Sequence, residues 1–192
     1  MQVIAFNGSP RKKGNTSTII QAVLEGAASA GAETTEVNLH HINMKGCQAC
    51  YACKEKLGVC AQKDDLSPYL EAIKTSDAIV YGCPIYMYRI TGQMKLFVDR
   101  MYCFAAPKKE GRGYNSMIPP GKKYAVVISQ GAPDPNQYAR SIRYLSGMIG
   151  SGYGLEEVGQ IIHTGSNMGP AEENESLLEE AKALGRKLVV KS

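Results

Sequence analysis

The chain predicts a doubly wound α/β fold: a five-stranded parallel sheet with helices on both faces. Three observations predict it. Strand-type and helix-type patterns alternate along the chain, which favours a parallel sheet built from crossover units. Two strand candidates, DAIVYG (77–82) and YAVVIS (124–129), are continuously apolar, as strands covered on both faces are. Turn-forming sequences rich in small polar residues follow the first and fourth strand candidates, at the end of such a sheet where ligands bind.

Each element has a local reason. Gln2–Phe6 is a short apolar run that reads as a strand, not as a signal peptide, because it lacks a basic leader and a long apolar core. Asn15 or Thr16 caps a helix carrying Ile19, Ile20, Val23, Leu24 and Ala27 at helical spacing. Thr34–Leu39 alternates, placing Val37 and Leu39 on one face. A second helix starts at Asp64 or Asp65, with Pro68 tolerated in its first turn. After the strand at 77–82, the loop CPIYMYRIT leads to a helix with Met94, Leu96, Phe97, Val98 and Met101. Residues 104–121 are rich in Gly, Pro and Lys and read as a long polar connection. The strand at 124–129 ends in QGAPDPN, a helix follows over 137–149, and the last strand falls at 158–163. The tail, 171–189, is a helix with acidic residues early and basic ones late, as its dipole favours. The expected organisation is one domain over 1–192, with a four-cysteine insertion at about 43–63 and a loop insertion at about 104–121.

The totals narrow the class. The chain has 192 residues, 44% hydrophobic and 21% charged, a globular composition. No apolar run approaches the roughly 20 residues of a membrane span. The net charge of +4 is scattered, so neither nucleic acid nor a membrane surface is expected as a partner. Three histidines without His-x3-His spacing give no histidine metal site.

The turn after the first strand is Asn7-Gly8-Ser9-Pro10-Arg11-Lys12-Lys13-Gly14-Asn15-Thr16-Ser17. The helix behind it offers free amides and a positive dipole end, an anion site. Ser9, Asn15, Thr16 and Ser17 add donors and Arg11 adds charge. The loop is neither a Walker A motif nor the Gly-x-Gly-x-x-Gly fingerprint. It suits a phosphate monoester, or else is a plain polar turn. Pro84-Ile85-Tyr86-Met87 mixes apolar and aromatic groups suited to a flat ring, and Ser129-Gln130-Gly131 lets backbone amides approach ring heteroatoms.

Four of the six cysteines, Cys47, Cys50, Cys53 and Cys60, fall in GCQACYACKEKLGVC. The Cys-x2-Cys-x2-Cys-x6-Cys spacing is the compact kind that wraps an iron–sulfur cube. A tetrahedral zinc, redox thiols or disulfides, and four small buried hydrophobes are the other readings. In a chain without export, metal or redox work is expected over structural disulfides.

With these motifs in hand, the chain resembles the NAD(P)H-dependent FMN reductase group of flavodoxin-like proteins. The resemblance is carried by Gly-Ser-Pro-Arg-x-x-Gly-Asn-Thr and by DAIVYGCPIYMYRITGQMKLFVDR, and covers most of residues 1–130. The cysteine segment, between second strand and second helix, resembles the iron–sulfur flavoprotein branch. The resemblance implies that Ser9, Arg11, Asn15, Thr16 and Ser17 bind the FMN phosphate. It implies that Pro84, Ile85, Tyr86 and Met87 line the ring and ribityl chain, joined by Ser129, Gln130 and Gly131. It implies that Cys47, Cys50, Cys53 and Cys60 ligate a 4Fe–4S cluster. The expected function is then a cytoplasmic electron-transfer oxidoreductase, a homodimer or homotetramer, with FMN and a 4Fe–4S cluster. A ferredoxin-like carrier or NAD(P)H would be the donor. The alternative is an NAD(P)H-dependent FMN or quinone-type reductase whose cysteines are unoccupied or bind zinc. Cys83, where relatives often carry Ser or Thr, either faces the flavin or is a small buried residue.

Overall fold

A computed structural model describes residues 1–190. Strand β1 (Gln2–Asn7) is followed by helix α1 (Asn15–Ser29), strand β2 (Glu33–Asn38), the one-turn helix α2 (Ala52–Glu55) and helix α3 (Ser67–Thr75). Strand β3 (Ala78–Tyr86) turns back into the short β4 (Arg89–Ile90), then helix α4 (Gly92–Arg100) and a 3-10 turn over Met101–Phe104. Strands β5 (Ala105–Pro107) and β6 (Tyr114–Ser116) pair as an antiparallel hairpin. Strand β7 (Lys123–Ser129), helix α5 (Ala139–Ile149), strand β8 (Glu156–His163) and helix α6 (Glu175–Val189) complete the chain.

The central sheet has the order β2-β1-β3-β7-β8, all pairs parallel. This is the flavodoxin-like arrangement, with β1 and β3 flanking the point where strand order reverses. Each face carries its own core. Phe6, Tyr81, Phe97, Tyr124, Ile128 and Leu145 pack on one face. Val3, Ala5, Ile20, Val23, Val80, Val127 and Leu184 pack on the other. Consecutive residues of β1, β3 and β7 point to opposite faces, so double burial requires the unbroken apolar runs read from the sequence.

Helices α1 and α6 cross close together because both carry glycine at the contact. A Cβ on Gly26 would sit 2.0 Å from the Lys182 carbonyl oxygen, and one on Gly185 would sit 1.9 Å from that of Val23. No helix among the described residues is long and apolar enough to cross a membrane.

Three expectations shift. Strand β3 runs on to Tyr86, so CPIY belongs to the sheet edge rather than a loop. The polar stretch 104–121 holds a hairpin of three-residue strands, too short to show alternation, with Ala105 and Ala106 buried and the second strand exposed. Helix α1 is capped by the backbone of Gly14, with no side-chain hydrogen bond at the cap.

Candidate flavin cleft

The parallel register sets the site. In β1, Asn7 stands opposite Gly82 of β3, and Ser129 of β7 stands opposite Pro84, so the three following segments leave the sheet at one level. A cleft of about 170 Å³ opens there. It is lined by Ser9, Arg11, Asn15, Thr16, Pro84, Ile85, Tyr86, Ser129, Gln130 and Gly131. All ten were expected from the sequence. Gly14, Ser166 and Asn167 complete the lining. The last two lie in the Gly- and Asn-rich turn after β8; that turn composition was the available signal.

The floor is tightly bonded. Asn7 Nδ2 donates to Ser17 Oγ (2.9 Å) and to Glu36 Oε1 (2.7 Å), and its Oδ1 accepts from the Ser9 amide (2.8 Å). Thr16 Oγ1 and Ser129 Oγ lie 2.6 Å apart, joining α1 to the end of β7. Asn15 Nδ2 donates to the Ser166 carbonyl and its Oδ1 accepts from the Ala171 amide, both at 2.8 Å. Asn15 therefore clamps the 166–171 turn over the helix start, and its amide is already engaged. Ser17 is buried, donating to the Arg11 carbonyl at 3.0 Å. It shapes the loop from behind and does not line the cleft. Met87 is 89% exposed at the turn beyond the lip and does not line it either.

Two features of the cleft stand out. The first turn of α1 has no side-chain cap, leaving amides directed at the loop. Gln130 is buried, its Nε2 donates to the Ala132 and Asp134 carbonyls, and its Oε1 has no hydrogen-bond partner among the described residues. A buried acceptor left unpaired costs roughly 1–3 kcal/mol, which marks the end of β7 as a locally costly part of the cleft wall.

The lip is a two-residue hairpin turn, with Tyr86 of β3 paired to Arg89 of β4. Its central residues, Met87 (φ 44°) and Tyr88 (φ 66°), are both left-handed, as the mirror-image hairpin turn requires. Cys83 lies beneath it, fully buried. Its Sγ accepts from the Thr91 amide at 3.3 Å, and burial pushes the thiol up to about 11 against the Thr91 hydrogen bonds. Cys83 is a protonated packing residue.

The four clustered cysteines do not form the expected centre. Cys47 and Cys50 are exposed, Cys60 is half-buried and Cys53 is buried in the apolar core. No group of three or more His, Cys, Asp or Glu among the described residues is arranged to hold a metal ion. This overturns the 4Fe–4S cluster, the zinc alternative, and the electron-transfer role built on the cluster. The physical reason is local backbone direction. Residues 43–51 have no regular structure, and Ala49 (φ 51°) and Tyr51 (φ 58°) both take left-handed turns. The chain then enters α2, which directs Cys53 inward. Burial raises the Cys53 thiol above its usual range, with Cys60, Cys47 and Cys50 adding to the effect and Lys54 opposing it.

What holds this segment is other chemistry. Arg100, fully buried on α4, donates to Asp64 Oδ2 (2.5 Å), Asp64 Oδ1 (3.2 Å) and the Lys45 carbonyl (2.8 Å). Desolvation pushes the Asp64 carboxyl up, but the Arg100 and Lys45 hydrogen bonds outweigh it and hold it below the usual range. Lys54 Nζ donates to the carbonyls of Tyr102 (2.6 Å) and Ala105 (2.5 Å) and lies 3.6 Å from the Tyr102 ring centroid. A fifth thiol, Cys103, is buried near Cys60 and Cys53 and is pushed up to about 12 by burial.

The fold, the strand register and the cleft together define a flavodoxin-like protein of the flavin-dependent oxidoreductase class. Residues 1–142 match the family described as NADPH-dependent FMN reductase, and the chain belongs to that family. An iron-sulfur flavoprotein of Archaeoglobus fulgidus is 29% identical over 189 residues, covering 98% of this chain and 79% of its own. One of Methanocaldococcus jannaschii is 36% identical over 100 residues, covering 52% of this chain and 51% of its own. The chain thus aligns to about half the length of that second relative. Among solved structures, an NAD(P)H:quinone oxidoreductase from Methanothermobacter marburgensis superposes with a TM-score of 0.76 at 20% identity, covering 100% and 98% of the two chains. That likeness establishes the fold. The kinship with the iron-sulfur flavoproteins is one of sequence; the thiols here diverge.

Proposed function

We propose that the protein is an NAD(P)H-dependent FMN or quinone-type reductase that works without an iron–sulfur cluster. The observation that carries the reading is the convergence of ten expected residues on one cleft at the uncapped start of α1. FMN fits the donors present: amides of the first turn, Ser9 and Thr16 hydroxyls and the Arg11 guanidinium for the phosphate, with the 129–131 segment beside the ring edge. When bound, FMN supplies a two-electron acceptor for hydride from a nicotinamide. The chain's own part is to neutralise the phosphate, fix the ring edge against Gln130 and Gly131, and shield one side with Pro84 and Tyr86. None of the lining residues is placed to act as an acid or base, so positioning is their contribution. NAD(P)H is the donor in this reading. We also infer a homodimer or homotetramer, supported by the apolar surface that Tyr86, Met87 and Tyr88 expose at the lip.

Titrating the protein with FMN under anaerobic conditions, then mixing it with NADPH or NADH in a stopped-flow spectrometer, tests this directly. Stoichiometric flavin uptake and bleaching by either nucleotide are expected. Failure to take up FMN sinks the reading, as does bleaching only by a reduced one-electron carrier.

A further inference from the structure

A second cavity, of about 430 Å³, lies on the far side of the lip hairpin. It is lined by Arg89, Ile90, Lys95, Arg140, Ser141 and Tyr144. Three of its six lining residues are cationic and none is acidic. Lys95 is partly neutralised by Asp99, 2.5 Å away on the next turn of α4. Arg89 and Arg140 have no ion-pair partner among the described residues. The Arg89 guanidinium is nonetheless held in place. It donates to Ser141 Oγ (3.1 Å), and that hydroxyl donates to the Tyr88 carbonyl (2.9 Å). Arg140 and Tyr144 are four apart on α5, so they share a face, and Tyr144 keeps 38% of its surface exposed.

The two cavities meet at the lip. Tyr86 lines the flavin cleft and its cross-strand partner Arg89 lines the cationic cavity. Such partners lie about 5 Å apart. For a pyridine nucleotide with its nicotinamide at the flavin, Arg89, Lys95 and Arg140 are therefore cationic groups next to the lip that can receive its other end.

We propose that this cavity is the site for the adenosine 2′-phosphate of NADPH. It rests on the reductase reading and adds the residues that select the coenzyme. Planar guanidinium groups match phosphate oxygens in pairs. An exposed tyrosine ring beside them offers a face for the adenine. A phosphate monoester is what the cavity recognises, and the 2′-position is what separates NADPH from NADH.

The test is calorimetric binding of 2′,5′-ADP and of 5′-AMP to the FMN-loaded protein, its Arg140→Ala variant and its Arg89→Ala variant. Loss of either guanidinium should weaken 2′,5′-ADP about tenfold, the usual scale for one charge-assisted phosphate contact, and 5′-AMP far less. FMN affinity and the thermal midpoint serve as controls for folding. Unchanged 2′,5′-ADP affinity in both variants overturns the proposal, and so does equal weakening of the two nucleotides. A changed sedimentation coefficient with intact 2′,5′-ADP binding also overturns it, by marking the cavity as a subunit contact. Failure of the reductase reading has a different signature: a flavin that neither nucleotide bleaches although 2′,5′-ADP binds.

Discussion

The flavin cleft and the cysteine segment each carry a compact motif, yet one assembles and the other scatters. The cleft residues come from separate loops up to 158 positions apart in the chain, such as Ser9 and Asn167, and still line one space. The four cysteines lie within fourteen positions, yet two are exposed, one half-buried and one buried, and among the described residues no three are arranged to hold a metal ion. Proximity in sequence is thus a weaker guide than attachment to a shared frame. The loops are fixed by the parallel register at the ends of β1, β3, β7 and β8. The cysteines hang on a segment without regular structure, secured chiefly by Arg100 and Lys54.

The largest test of this contrast removes the attachment. Arg100→Met leaves the Asp64 carboxylate part-buried without its partner, and should cost about 3–5 kcal/mol in urea denaturation. Because Asp64 titrates below its unfolded range, the unfolded chain binds more protons between the two values. The stabilisation is therefore complete above the ordinary carboxylate range and is lost as pH falls toward the folded value. Asp64→Asn should flatten the dependence of the urea midpoint on pH between about 5 and 3. Equal slopes for the variant and the parent would mean that Asp64 is not the group responsible.

A smaller effect is expected in the cleft. Arg11→Ala should raise the dissociation constant for FMN about tenfold, measured by quenching of flavin fluorescence. Gln130→Leu removes the two bonds that Nε2 makes to the Ala132 and Asp134 carbonyls, and should weaken FMN by a similar factor and lower the thermal midpoint. An unchanged FMN affinity would mean that the 130–134 turn does not shape the ring site.

The smallest effect belongs to the exposed thiols. Cys47→Ser and Cys50→Ser should alter stability by less than about 0.5 kcal/mol and leave NADPH bleaching of the flavin within twofold. Treatment with a metal chelator should change neither. A large loss of bleaching in either variant would show that the thiols share in the redox chemistry.

These outcomes bear on what could be read in advance. Apolar runs revealed β1, β3 and β7 because double burial leaves the middle of each strand apolar. The cleft was legible because sheet topology alone brings the ends of those strands together. The direction of the thiols was not legible: spacing sets how far the chain can reach, whereas the φ values at Ala49 and Tyr51 decide where each Cβ points, and neither residue type signals such a turn. Ser17 and Met87 belong to loops that border the cleft but do not line it, for a related reason. A motif identifies a loop, but one side chain of that loop faces the ligand while the next supports it.

The Met87-Tyr88 turn has a last consequence. Turns of this shape favour Asn-Gly, and each ordinary side chain held left-handed costs about 1–2 kcal/mol. A chain selected only for durability would carry Asn-Gly here. Retaining a thioether and a phenol at this bend means that the residues at the bend are worth more to the protein than its own melting temperature, so a stabilising Met87→Asn, Tyr88→Gly variant is the natural place to look for a sturdier but slower enzyme.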